Sequence, residues 1–144
     1  MRLYIVGSVA SGKSTLARNI SEKTGVPYFS LDEVVHEKDD TTPIGNRKRT
    51  PEKRDTLFSE ILSKSSYIIE DTGRECFEEG LCQAESIILL EIPLITRRYS
   101  IIRRYIRQKL GVEKCAYRPS LTMFGICSDG RRTMTEAQTA CMNG

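Results

Sequence analysis

What this 144-residue sequence lacks narrows its function before any motif is considered. Its start, "MRLYIVGSVASGK", has only four consecutive apolar residues before Gly7, so no signal-peptide core is present and a cytoplasmic chain is expected. The other apolar run, "IILLEIPLI", carries Glu91 and Pro93 and falls far short of the roughly 20 residues that cross a bilayer, so no membrane segment is expected. A single His and five cysteines (Cys76, Cys82, Cys115, Cys127, Cys141) without a CxxC pair argue against a zinc site and a disulfide framework, and predict reduced thiols. Charge of one sign is scarce overall: 22 Lys+Arg against 19 Asp+Glu leaves +3, too mild to argue for nucleic acid or an anionic membrane. Internal repeats and low-complexity tracts are also missing. At 39% hydrophobic and 28% charged, the chain suits one globular domain, with no room for a second.

What is present alternates. "LYIV" (3–6) is an apolar run ending at a glycine, as a buried parallel strand does. Leu16, Ala17 and Ile20 then fall at helical spacing until Gly25 and Pro27. "PYFSL" predicts a second strand ending at Asp32. The polar stretch from His36 to Arg54 looks like a mobile insertion, and Leu57, Ile61 and Leu62 mark a helix after Pro51. "YIIE" (67–70) is a third strand, "RECFEEGLCQA" a short helix broken at Gly80, and "SIILLE" a fourth strand. Nearly continuous apolar strands separated by helices predict an α/β fold, a parallel sheet with helices on both faces.

Gly7, Gly12, Lys13 and Ser14 fit G-x-x-x-x-G-K-[ST], and the context is right, with a strand before and a helix after. Such a loop bends so that its N–H groups converge on a polyphosphate, aided by the positive end of the helix. Gly7, Ser8, Ala10, Ser11, Gly12, Lys13, Ser14 and Thr15 are therefore the expected nucleotide-binding residues. Lys13 would bridge the β and γ oxygens of ATP and the Ser14 hydroxyl would ligate Mg²⁺. Dinucleotide binding is disfavoured, because Val9 stands where G-x-G-x-x-G needs its middle glycine.

Asp32, Glu70, Asp71 and Glu91 each end an apolar run, and in parallel sheets those ends line the ligand crevice. Glu70 or Asp71 could hold Mg²⁺ through water. Asp32 could take a proton from a substrate hydroxyl or orient it, or simply cap the next helix. Arg74 could fork onto an acceptor phosphate or carboxylate; the plain alternative is a surface ion pair with Glu75 or Glu78. From Leu94 to Leu110 an apolar stripe is flanked by arginines, with no acid between Ile92 and Val112. Arg103, Arg104 or Arg107 could close over the γ-phosphate as a lid, stand as a solvated face, or track DNA phosphates.

The loop together with "SLDEVVH", "RTPEKRD", "YIIEDTGR" and "AESIILLEIP" resembles the DNA topology modulation proteins, small P-loop kinase-like proteins similar in turn to adenylate kinase. The likeness spans residues 1–124. It implies ATP with Mg²⁺, Arg74 as an acceptor-side anchor matched to Glu70 at a spacing of four, and residues 36–54 as an acceptor lid. A kinase acting on a nucleotide-like or metabolite acceptor is the leading expectation; a DNA-binding regulator and a plain ATPase switch are the rivals. Residues 125–144, "GICSDGRRTMTEAQTACMNG", break the pattern and are expected to be disordered. Joining the third base of each codon to the first two of the next permits "RYMFRWTKDYDGSTDSLHER" from Gly125 onward, which restores the segment relatives carry. A one-base frameshift would explain this tail and would remove the sheet's last strand.

Overall fold

A computed structural model of the chain describes residues 1–42, 45–93, 95, 96, 99 and 103. Its elements are β1 (Arg2–Gly7), α1 (Lys13–Thr24), β2 (Tyr28–Ser30), α2 (Leu31–Val35), β3 (His36–Lys38), β4 (Asn46–Lys48), α3 (Pro51–Leu62), β5 (Tyr67–Asp71), a 3-10 turn (Glu75–Phe77), α4 (Glu78–Gln83) and β6 (Ser86–Leu90). Four strands form a parallel sheet in the order β2-β5-β1-β6, with Tyr4 opposite Ile69 on one side and Ile87 on the other. β1 and β5 lie in the middle and are buried on both faces, which is why their sequences are apolar without alternation.

Each face has its own core. Tyr4, Val6, Tyr67 and Ile69 point towards α2, α3 and α4, where they meet Leu31, Phe58, Phe77 and Leu81. Leu3, Ile5 and Ile68 point the other way, onto Ala17, Leu16 and Ile20 of α1. α1 stops at Gly25, whose φ of 72° lets its N–H bond to the Ser21 carbonyl. α3 starts at Pro51, whose fixed φ suits the first helical position. On β6, Ile87 and Leu89 stand on the Tyr4 side, beside Tyr4 and Val6, and are 50% and 40% exposed.

Several expectations need correction. The second strand stops at Ser30, so Asp32 lies in the first turn of α2 rather than at a strand end. Residues 36–54 are not a featureless insertion: β3 and β4 pair as an antiparallel hairpin, and Arg54 already belongs to α3. Polar side chains build the hairpin through mutual ion pairs, Arg47 donating to Glu37 at 2.6 Å. Gly80 does not break its helix. It sits inside α4 because a Cβ there would lie 2.7 Å from Phe58 Cζ and 3.0 Å from Tyr4 Cε2. Cys76 is a free, exposed thiol, as expected, while Cys82 is not without a partner; Cys115, Cys127 and Cys141 lie outside the described residues. Ile95, Thr96, Tyr99 and Arg103 are helical and exposed. The rest of the arginine-rich segment, the expected boundary at 124 and the 125–144 tail lie outside the described residues. Among the described residues no helix is long and apolar enough to cross a membrane.

Candidate active site

The loop between β1 and α1 is shaped by three positions. At Gly7 a Cβ would lie 2.7 Å from the Leu90 carbonyl oxygen and 2.9 Å from Ser11 Oγ, so only glycine lets β1 end this close to β6. Ala10 (φ 62°) and Gly12 (φ 93°) both take left-handed turns, which roll the chain back until α1 begins at Lys13. Ser11 N bonds to the Ser8 carbonyl at 3.2 Å and closes the roll. The first amides of α1 are thereby free of helical acceptors and stand at the carboxyl end of the sheet.

Lys13 is buried, and its Nζ donates to the Ser8 carbonyl at 2.9 Å. Burial lowers its pKa from the usual lysine value, opposed by the nearby charges of Glu70, Asp32 and Asp71. Ser14 Oγ donates to Glu70 Oε1 at 2.8 Å, and Glu70 is buried at the end of β5. Two of the residues expected to hold Mg²⁺ are thus in contact, and a hydroxyl and a carboxylate are the hard oxygen donors that ion takes. They fit it as a pair to be completed by phosphate oxygens and water. No group of three or more His, Cys, Asp or Glu suited to a metal occurs among the described residues. Thr15 is exposed on α1.

Asp71 does not suit the metal role expected of it. Its Oδ2 accepts the backbone N–H groups of Gly73 (2.7 Å) and Arg74 (2.6 Å), and its Oδ1 accepts Arg74 Nη1 at 2.6 Å. Gly73 makes this turn possible with a φ of 89°. Arg74 Nη2 reaches across to Asp32 Oδ1, so the guanidinium joins the end of β5 to the start of α2. Burial alone would lower the Arg74 pKa, but the hydrogen bond it donates to Asp32 and the charges of Asp71 and Asp32 outweigh it and hold it above the ordinary arginine value. The surface pair with Glu75 or Glu78 is not what forms. Glu91, one residue beyond β6, is exposed and makes no hydrogen bond or ion pair with this cluster among the described residues. Arg103 is exposed; Arg104 lies outside the described residues.

Two features of the site carry no clear signature in the sequence. Asp71 acts as the holder of Arg74. Arg49, one of several basic residues after the hairpin, donates through Nη1 to the carbonyls of Glu33, Val34 (3.0 Å) and His36 (3.0 Å), anchoring the hairpin to the end of the helix that carries Asp32.

The sequence matches no protein-family model and no curated protein. Its structure is similar to that of a sugar kinase from Janibacter sp. HTCC2649, at 17% identity and a TM-score of 0.51 over 84% of this chain and 72% of that one. It is also similar to shikimate kinase from Aquifex aeolicus, at 20% identity and a TM-score of 0.50 over 94% of this chain and 82% of that one. At such identities the likeness speaks to fold, and the resemblance to the DNA topology modulation proteins gains no support from it. The parallel sheet, the glycine loop at the end of its central strand and these two likenesses together give the chain the α/β fold of the P-loop kinases.

Proposed function

We propose that the chain is a phosphotransferase that uses ATP and Mg²⁺ to phosphorylate a small-molecule acceptor. The observation that carries this reading is the juxtaposition of two chemistries at the carboxyl end of the sheet: Lys13 and the Ser14–Glu70 pair on one side, the Asp32–Arg74–Asp71 cluster on the other. The charges of Glu70, Asp32 and Asp71 all act on Lys13, so the two groups lie near one another. Mg²⁺ bound there would neutralise charge on the transferring phosphoryl group. In this reading Lys13 would turn from the Ser8 carbonyl to the β and γ oxygens, Ser14 and Glu70 would hold the ion, and Asp32 would accept the proton of the acceptor hydroxyl or orient it. Arg103 and Arg104 belong to this reading as lid residues: their alanine variants should lower kcat with little effect on the acceptor KM.

The test is transfer of label from γ-labelled ATP to pooled small acceptors, with calorimetry of ATP·Mg²⁺ binding alongside. Lys13→Ala should abolish measurable binding while the circular dichroism spectrum stays the same. Unchanged affinity would remove the loop from the mechanism. The rival DNA-binding reading rests on the arginines of residues 97–109, and a steep fall of DNA affinity with salt in the same preparation would favour it over kinase activity.

A further inference from the structure

Arg74 has two carboxylates on it. Asp71, its side chain wholly shielded from solvent, accepts two backbone N–H groups and Nη1, and cannot exchange these partners without undoing the turn at Gly73. Asp32 accepts Nη2 and has a side chain 64% exposed, so it is the member of the cluster that faces an incoming molecule. Two negative groups on one cation leave this corner with an excess negative charge, and the buried Glu70 adds another beside it. Among the described residues, the arginines of the hairpin and α3 are occupied elsewhere: Arg49 on carbonyls at the α2–β3 junction, Arg54 on Asp55 at 2.7 Å, Arg47 on Glu37. Lys13 is directed at the donor. A phosphate or carboxylate arriving here would therefore have to displace Asp32 from Arg74 and then share the guanidinium with Asp71.

We infer that the acceptor of this site is a hydroxyl compound without a phosphate or carboxylate group, and that Asp32 sets this selectivity by occupying Arg74 where an anionic acceptor would bind. The inference rests on the phosphotransferase reading and narrows it. Arg74 is then a positioning residue: it fixes the Asp32 carboxylate towards the acceptor hydroxyl and does not itself grip the substrate. In the transfer step the acceptor oxygen forms its bond to the γ-phosphorus, the β–γ bridging bond breaks to release ADP, and the hydroxyl proton passes to Asp32.

Inorganic phosphate is the probe, added to protein whose loop is already filled with Mg²⁺ and a non-hydrolysable ATP analogue. Binding is followed by the side-chain ¹⁵N signal of Arg74, which separates this corner from the loop. The wild-type signal should not move with phosphate into the tens of millimolar. Asp32→Asn, which keeps the shape and removes the charge, should show saturable binding at least tenfold tighter, and Asp32→Ser should do the same. Phosphate binding at wild-type Arg74, or no gain in either variant with native spectra, overturns the inference. Failure of the ATP analogue to bind sinks the donor reading instead, and is seen in the first titration before phosphate is added.

Discussion

Lys13 shows at the scale of one residue how binding and stability oppose each other. Its ammonium is buried against a single carbonyl, and its pKa lies below the ordinary 10.5 because burial outweighs the attraction of Glu70, Asp32 and Asp71. A base whose folded pKa is depressed holds its proton more tightly when the chain is unfolded. Stability should therefore rise with pH between the lowered value and 10.5, as the cost of the buried charge is relieved. Lys13→Met should stabilise the nucleotide-free protein by on the order of 1 kcal/mol and flatten that alkaline rise, while ending ATP binding. Thermal melts between pH 7 and 10 check both; a variant that melts lower would show that the ammonium is a net stabiliser. Lys13, Ser14 and the glycines were legible in the sequence because a phosphate loop is written in consecutive residues with a fixed backbone path. The Asp32–Arg74 bond was not, since it joins residues 42 positions apart and depends on where α2 and the β5 turn come to lie. Asp71 looked like a metal ligand for the same reason: a sequence shows the carboxylate but not the three donors that engage it.

Among the elements, the short ones are the least autonomous. α2 has five residues, too few to hold itself by its own ladder, and its last carbonyls are met by Arg49. Arg49→Ala should cost about 1–3 kcal/mol in denaturant unfolding, the range for losing hydrogen bonds to a charged group, and should also weaken the Asp32–Arg74 contact. Arg47→Ala, which removes a more exposed pair on the same hairpin, should cost less than about 1 kcal/mol. Equal effects would mean that Arg49 serves the hairpin alone. In α4 the constraint is packing: Gly80→Ala should destabilise by about 1–3 kcal/mol, because Phe58 and the central-strand Tyr4 must both move aside. Strands β1, β5 and β6 and helices α1 and α3 were readable from apolar runs, Gly25 and Pro51. The hairpin was missed because its two strands have three residues each and are held by ion pairs, leaving no hydrophobic period to detect. Gly80 was misread because a glycine that breaks a helix and one that admits a neighbouring ring look the same in sequence.

For the whole molecule, alternation of strands and helices announced the parallel α/β class but not the strand order, which depends on long-range pairing. That order has a consequence in time. β1 is flanked by β5 and β6, so Arg2 pairs with Tyr67 and Leu3 with Ser86. Parallel neighbours this distant in the chain close slowly, since loop entropy is lost before contacts form. A fragment ending at Ser66 contains the whole phosphate loop yet neither partner of β1, and should show no cooperative unfolding and no ATP binding. A fragment that binds would place the loop's stability in α1 alone. On the ribosome, then, the phosphate loop is made well before it can become functional: until Leu90 has cleared the exit tunnel, β1 is an apolar strand with at least one edge open, exposed to pairing with a wrong neighbour.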